Sequence, residues 1–195
     1  HQPDGLAPLG CERAAGYHAV LVRHEVPHTV ETPAATPLLP PDHLAMMARG
    51  VSVIVSSCGH DLTPSLMRAV GSQISPQGDR ITVFLNRQQS TQLLRDVAST
   101  GRVAVVFSEP HSHRTVQLKS RQARLREVTA DDAPALQRYL QAMQGELARI
   151  GFTPDFAAAM LAHRFDDLSA IEFTPSQAFD QTPGPNAGQP LGVNP

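Results

Sequence analysis

Residues 81–86 read Ile-Thr-Val-Phe-Leu-Asn, and this short stretch gives the clearest indication of the fold. Positions 81, 83 and 85 point to one side of an extended chain and positions 82, 84 and 86 to the other, which is the two-residue period of a β-strand. The run Ser-Pro-Gln-Gly-Asp at 75–79 has the chemistry of a tight turn. The sequence therefore predicts a strand that folds back on an earlier one.

Further strands and helices follow in both directions from this strand. The patterns predict strands over 51–57, 64–74, 102–108, 114–128 and 168–173, and helices over 41–49, 88–100, 136–150 and 154–163. A capping box with Asp in the Glu/Gln position begins at Thr129. Short strands bounded by turns favour an antiparallel barrel, so we predict a mainly β fold with peripheral helices and six strands.

Proline and glycine mark the two ends of this core. We expect residues 1–40 to be a flexible N-terminal extension, in which 17–22 is a candidate edge strand. Residues 41–174 form the predicted barrel domain. Residues 175–195 carry five prolines and three glycines and are predicted to be an extended C-terminal arm.

Composition excludes several classes of function. With 16 basic and 18 acidic residues the formal charge is −2, so there is no basic excess to bind nucleic acid. The longest apolar runs are far shorter than the roughly 20 residues that span a bilayer, so we expect no membrane segment. Cys11 and Cys58 have no Cys-x-x-Cys partner, which favours a reducing, cytoplasmic location. The chain has no glycine-rich phosphate loop.

Four stretches together resemble the pyridoxamine 5'-phosphate oxidase-like FMN-binding split barrels. They are residues 64–70, 81–86 with the polar helix start 88–91, 101–107 and 114–120. The resemblance covers residues 41–128. It implies a six-stranded split barrel, FMN as the cofactor, and a homodimer with the flavin at the subunit interface. The implied function is an FMN-binding protein and flavin-dependent oxidoreductase of unknown substrate.

The resemblance also suggests residues that bind the cofactor and the substrate. Arg68 would hold the flavin phosphate, because its guanidinium matches phosphate oxygens, and Gln73 stands where the family has a second basic residue. The start of the inserted helix would add N–H groups for an anion. The Arg-x-His signature of the true oxidases is absent, so we expect no vitamin B6 chemistry. The implied cofactor-binding residues are Arg68, Val70, Leu85, Asn86, Gln89, Ser90, Thr91, Gln117 and Lys119, and the implied substrate-binding residues are His113 and Arg114.

Simpler interpretations stay open for each of these residues. Arg68 could pair with an acidic neighbour, Ser90 and Thr91 could be helix caps, and Gln117 and Lys119 could be a solvated strand face. His111 and His113 would lie on one face of an extended segment, but without a third ligand we expect no metal. Alternative functions are a non-enzymatic flavin-binding protein, a haem-binding split barrel using His111, His113 or His163, and a dimer without a ligand. No residue is a convincing general acid or base.

Overall fold

The strands of the chain form two antiparallel sheets. This computed structural model describes residues 39–192. The predicted N-terminal extension and its candidate strand 17–22 lie outside the described residues, except for positions 39 and 40. The helices are α1 (Pro41–Ala48), α2 (Thr91–Thr100), α3 (Ala133–Ala148) and α4 (Pro154–Met160). The strands are β1 (Ser52–Cys58), β2 (Pro64–Arg68), β3 (Gly71–Ile74), β4 (Ile81–Asn86), β5 (Val103–Ser108), β6 (Thr115–Ser120), β7 (Arg124–Arg126), β8 (Leu168–Phe173), β9 (Gln177–Asp180) and β10 (Pro190–Leu191).

The strand order identifies the architecture as a split barrel. One sheet has the order β10-β9-β6-β5-β1-β2 and the other has the order β3-β4-β8-β7. Both sheets contribute side chains to one large apolar core, but they do not close into a continuous barrel. The prediction of a mainly β, antiparallel split barrel with peripheral helices is confirmed.

The predicted strand 64–74 divides between the two sheets at two consecutive residues. The amide of Ala69 donates to the carbonyl of Val53 in β1 at 3.0 Å, and the amide of Val70 donates to the carbonyl of Phe84 in β4 at 2.8 Å. The chain therefore passes from the first sheet to the second at this point, which we call the crossing. Residue alternation continues through it, so the sequence predicts one strand where the structure has β2 and β3.

The predicted strand 114–128 also divides, into β6 in the first sheet and β7 in the second. The six predicted strand segments are thus all present. The arm 175–195 contains β9 and β10, and β9 pairs with β6 over four residues, from Val116↔Asp180 to Lys119↔Gln177. The arm therefore extends the six-stranded sheet.

Strand β4 is covered on both faces, although its alternation predicts a strand with one polar face. Ile81, Val83 and Leu85 belong to the large core between the sheets. Phe84 packs on the other side in a second cluster with Leu136 of α3. Helix α3 thus covers the face of the four-stranded sheet that would otherwise meet water, and Ile150 beyond its end is exposed.

Helix α3 is fixed at its start and in its middle. The capping box predicted at Thr129 is present: Asp132 accepts from the Thr129 amide at 2.9 Å and pairs with Arg126 through two hydrogen bonds of 2.8 and 2.9 Å. The buried Tyr139 hydroxyl donates to the carbonyl of Val51 at 2.7 Å. Helix α3 is therefore tied to both sheets.

Helix α2 fills the space between the sheets with Leu93, Leu94 and Val97, as its spacing predicts. It starts at Thr91, three residues later than predicted, because residues 87–90 form a turn closed by the bond from the Ser90 amide to the Asn86 carbonyl. It ends at Gly101, whose φ of +64° is left-handed. Within residues 39–192 no helix is both long and apolar enough to cross a membrane.

We predict that Gly101→Ala lowers the free energy of unfolding by at least about 1–2 kcal/mol, the cost of a left-handed conformation for a residue with a Cβ. A Cβ at this position would also lie 2.7 Å from the carbonyl oxygen of Arg121, so the backbone would have to shift. Urea unfolding measures the change.

Gly145→Ala is the matched control, because this glycine lies inside α3 and an added Cβ would have no other atom within 4 Å. Here the substitution should raise the free energy of unfolding by about 0.5–1 kcal/mol, since alanine is the better helix former. Equal effects of the two substitutions would contradict the role given to Gly101.

Candidate functional site

The face of the six-stranded sheet that points away from the core carries polar side chains in aligned positions. Along β1, Val53 and Val55 are buried in the core, whereas Ile54, Ser56 and Cys58 are half-buried and point the other way. The same alternation holds for β5 and β6. We call this surface the outer face.

The strand register sets the predicted residues in two rows on the outer face. One row runs Arg68, Ile54, Val106, Gln117 and Phe179 across the sheet. The neighbouring row runs Leu66, Ser56, Ala104, Lys119 and Gln177. Arg68 and Gln117 are three strand spacings apart, which is about 14 Å. The structure thus brings Arg68, Gln117 and Lys119 onto one surface.

Arg68 has no acidic partner among residues 39–192. Its guanidinium is half-buried and donates to the hydroxyl of Ser52 at 2.7 Å. The ion pair that was the simpler interpretation of Arg68 is therefore not formed within the described chain. A guanidinium held by one neutral hydroxyl keeps most of its N–H donors for an anion.

Lys119 is also without an acidic partner in the part of the chain that the structure describes. Its ammonium lies 4.8 Å from the centre of the Phe179 ring, a cation–π contact from the C-terminal arm. Gln117 lies beside it, half-buried on the same face. Both side chains therefore offer N–H donors to the outer face.

The other predicted cofactor-binding residues surround the end of β4. Val70 and Leu85 are buried, so a ligand would reach them only through their backbone groups. The Asn86 amide nitrogen donates to the carbonyl of Ala162 at 3.2 Å. These residues at the end of β4 lie near Arg68, because Arg68 precedes the crossing and Val70, two residues later, follows it and bonds to β4.

Ser90 is the one buried side chain within residues 39–192 whose polar atom has no hydrogen-bond partner. It is 2% exposed and precedes α2, yet its hydroxyl does not cap that helix. Gln89 and Thr91 beside it are exposed, and the Thr91 hydroxyl donates to the carbonyl of Gln88 at 3.0 Å. An unpaired buried hydroxyl costs about 1–3 kcal/mol, so a hydrogen-bond partner from outside residues 39–192 would stabilise the fold here.

The predicted substrate residues lie in the turn between β5 and β6. His113 is exposed with a φ of +60°, and Arg114 pairs with Asp42 at the start of α1. The charge of Arg114 is therefore already balanced. His111 turns inward instead, so His111 and His113 do not form the two-histidine pair that an extended segment would give.

His111 belongs to a cluster that the sequence did not reveal. Its Nδ1 lies 2.9 Å from a carboxylate oxygen of Glu146 in α3, and its Nε2 lies 3.8 Å from Glu109. The three groups are close enough to hold a metal ion. Arg49 pairs with Glu109 and Arg149 with Glu146, however, so two arginines already balance the two carboxylates. The cluster therefore joins the β5–β6 turn to α3 as an ion-pair network.

Glu109 makes the stability of this network depend on pH. Burial alone would raise the pKa of Glu109, but hydrogen bonds from Ser112 and Arg49 outweigh it and hold the pKa below its usual range. Because the pKa is lower in the folded state, ionised Glu109 stabilises the fold above about pH 4.3, its unfolded value. That contribution is lost as the pH falls through the folded-state pKa.

We predict that Glu109→Gln lowers the free energy of unfolding by about 1–3 kcal/mol at pH 7, the scale of a charged hydrogen bond. The difference from wild type should shrink as the pH falls below about 4.3. Urea unfolding between pH 7 and pH 3 measures it. Asp155→Asn, which removes an exposed carboxylate in α4, is the control and should change the free energy of unfolding at pH 7 by no more than about 0.5 kcal/mol. A constant difference across this range would contradict the assignment.

Comparisons with known proteins extend no further than the fold. No protein-family model and no curated protein sequence matches the chain. Among solved structures, it is similar to HupZ from Group A Streptococcus, with 11% identity, 77% of this chain and 100% of that chain covered, and a TM-score of 0.47. A putative pyridoxamine 5'-phosphate oxidase from Lactobacillus delbrueckii has 13% identity, 74% and 96% coverage, and a TM-score of 0.45.

A structure described as an F420 reductase has 14% identity, 72% and 98% coverage, and a TM-score of 0.43. At such identities and TM-scores, likeness carries no information about cofactor or substrate. The fold is instead identified by three features of this chain: the strand order, the crossing and the helix inserted between β4 and β5. The chain therefore has a split-barrel fold similar to that of the pyridoxamine 5'-phosphate oxidase-like proteins that its sequence resembles.

Proposed function

We propose that this protein binds FMN and acts as a flavin-dependent oxidoreductase of unknown substrate. The observation that carries the proposal is the state of Arg68. Its guanidinium is half-buried at the crossing and has no acidic partner within residues 39–192. A cation in that position is suited to a phosphate group, for which arginine provides a planar set of donors.

The orphaned hydroxyl of Ser90 supports the same cofactor. Ser90 stands at the start of α2, where free amide groups and the helix dipole favour an anion. A phosphate-bearing flavin would satisfy a donor of this kind, so the residues present fit the cofactor. Val70 and Leu85 would take part only through their backbone groups, because their side chains lie in the core.

The residues of the chain would bind and orient the cofactor. The isoalloxazine ring, when bound, supplies the hydride and electron transfer. Arg68 would hold the phosphate, and backbone groups near Leu85 and Asn86 would hold the ring edge. Gln117 and Lys119 would place N–H donors where negative charge develops on reduction, which is how a protein stabilises a reduced ring.

A second copy of the chain would complete this site. The outer face exposes apolar side chains, among them Leu66, which is 67% exposed beside half-buried Ile54 and Val106. Covering these side chains would remove apolar surface from water. We therefore include a homodimer with each flavin between the subunits in the proposal. The two cysteines, 47 residues apart in sequence and without a Cys-x-x-Cys pair, support a reducing, cytoplasmic compartment.

We predict that Arg68→Ala weakens FMN binding by about 10- to 150-fold, equivalent to the roughly 1.5–3 kcal/mol of a charged hydrogen bond. Quenching of flavin fluorescence during titration measures the affinity. Arg124→Ala is the matched control, because Arg124 is exposed on β7 in the other sheet. Equal affinity of Arg68→Ala and wild type would show that Arg68 does not hold the phosphate.

The absorption spectrum of the purified protein separates the alternative functions. Flavin bands support the proposal, whereas a Soret band at about 400 nm would indicate a haem protein. A flavin that NADH or NADPH does not reduce in stopped-flow experiments would leave a non-enzymatic flavin-binding protein. A colourless protein without a thermal shift on adding FMN would contradict flavin binding, since ligand at 100 times Kd stabilises by about 2.7 kcal/mol.

We predict that Leu66→Glu dissociates the dimer, because it places a charge on the surface that the partner would cover. Sedimentation equilibrium gives the mass. Leu62→Glu is the control: Leu62 is 66% exposed, but it lies in the turn before β2 and off the outer face. A wild-type chain that sediments as a monomer would refute the homodimer.

A further inference from the structure

A cleft at the far end of the outer face from Ser52 is lined by three cations and no acid. Its volume is about 320 Å³, and Arg102, Lys119 and Arg121 line it together with Cys58 and Ser120. None of these cations forms an ion pair with an acidic residue within residues 39–192. A cleft of this size is at the lower end of the range for small-molecule sites.

The number of unpaired cations distinguishes this cleft from others that contain arginine. Arg80 and Arg124 line a larger cleft, but Asp79 and Glu172 line it as well. His43 and Arg114 line another, together with Asp180. These two clefts have nearly balanced charge. A further cleft, lined by Arg49 and Arg138, has no acid in its lining, but Arg49 is paired with Glu109. The cleft around Arg102 carries three positive charges in a chain whose formal charge is −2.

The sheet register places like charges side by side in this cleft. The pairing of β5 with β6 ends at Val103↔Ser120, and Arg102 and Arg121 directly adjoin this pair on the two segments and line the same cleft. Gly101 approaches this part of the chain closely, since a Cβ added to it would lie 2.7 Å from the Arg121 carbonyl. Like charges that line one cleft repel each other. A bound anion would remove that repulsion.

A hydroxyl proton is also free to face a ligand. Ser120 is buried, and its oxygen accepts from the Gln122 amide at 3.2 Å. No acceptor for the Ser120 O–H is found in the part of the chain that the structure describes. The hydroxyls of Ser56 and Ser57, in contrast, donate to backbone carbonyls of Ala104 and Arg102 at 3.1 and 2.7 Å. Ser120 therefore adds a neutral donor to the three cationic side chains.

We propose that this cleft binds an oxyanion, a phosphate or carboxylate group, that anchors the substrate of the flavin. That the bound molecule is a substrate of the flavin rests on the proposed function. That the cleft binds an anion rests on the cleft alone. Lys119 lies on the outer face one row from Gln117, so the anchored molecule would lie beside the implied position of the ring. The substrate class is therefore a small molecule with an anionic group at one end.

The free thiol of Cys58 gives a local readout of the cleft. Its Sγ lies 3.9 Å from a guanidinium nitrogen of Arg102. Inorganic phosphate is the probe, and chloride keeps the ionic strength constant. Peptide mass spectrometry follows alkylation of Cys58 by iodoacetamide separately from Cys11. We expect phosphate to slow alkylation of Cys58 several-fold in wild type.

Two charge variants then locate the anion. We expect Arg102→Gln with Arg121→Gln to weaken protection by phosphate at least tenfold and to leave FMN affinity within twofold of wild type. Arg68→Ala should keep the protection. Arg95→Gln with Arg124→Gln removes two exposed cations elsewhere and controls for net charge. Arg121→Glu alone changes an exposed side chain and keeps the test open if the double variant unfolds.

Every other result contradicts either the oxyanion site or the proposed flavin function. Protection that is absent in wild type, or unchanged in the Arg102→Gln, Arg121→Gln variant, overturns the oxyanion site. A tenfold loss of FMN affinity in that variant would mean that the cleft holds the cofactor phosphate; the substrate anchor would then be wrong while flavin binding stands. Protection without any FMN binding would refute the proposed function and leave the anion site. Succinate in place of phosphate distinguishes a carboxylate ligand from a phosphate ligand. Stronger protection by phosphate identifies a phosphate ester as the substrate class, and stronger protection by succinate identifies a carboxylic acid.

Discussion

The structure depends on two neighbouring amides that donate in different directions. The Ala69 amide completes the six-stranded sheet through Val53, and the next amide, at Val70, begins the four-stranded sheet through Phe84. Buried backbone donors must be paired, so the chain cannot slide at this point without leaving one of them unsatisfied. The crossing therefore fixes the register of both sheets at once. It also sets Arg68 on the outer face while Val70 enters the second cluster under α3.

Acidic and basic side chains are nearly equal in number in this chain, but they occupy different parts of the fold. Three buried acidic residues are paired with arginines: Asp132 with Arg126, Glu109 with Arg49, and Glu146 with Arg149. These pairs fasten α3 and the β5–β6 turn. Buried Asp96 accepts hydrogen bonds from Ser65 and Gln92 instead. None of the outward positions of β1, β2, β5, β6 and β9 carries an aspartate or glutamate. A nearly neutral chain thus presents a locally positive surface, which attracts anionic ligands within about a Debye length.

The sequence predicted the strands well because side-chain alternation reports burial on one face. It predicted the inward residues of α2 and the capping box at Thr129 for the same reason: both depend on local spacing. It could not predict the breaks within 64–74 and 114–128, because alternation continues unchanged where a chain moves from one sheet to the other. It also could not show that Phe84 is covered, since that cover comes from α3, more than 50 residues later.

The candidate site was predicted in part. Arg68, Gln117 and Lys119 do share a surface, and the end of β4 adjoins them at the crossing. The sequence did not predict that Arg102 and Arg121 line one cleft, because this depends on the pairing of β5 with β6, which no single segment encodes. An extended segment would set His111 beside His113; the turn with left-handed His113 sends them apart and gives His111 to Glu146 instead.

The C-terminal hairpin has a further consequence for how the chain can be shortened. Strand β9 occupies the edge of β6, and an uncovered edge of a sheet is a template for pairing with other chains. Ser176 and Gln177 also form one wall of the cationic cleft, and Phe179 supports Lys119. A truncation at Pro175, chosen because the segment is rich in proline and glycine, would remove the strand that covers the edge of β6. It would also remove one wall of the cleft. Resistance to aggregation and ligand binding therefore both depend on a segment whose composition suggests a dispensable tail.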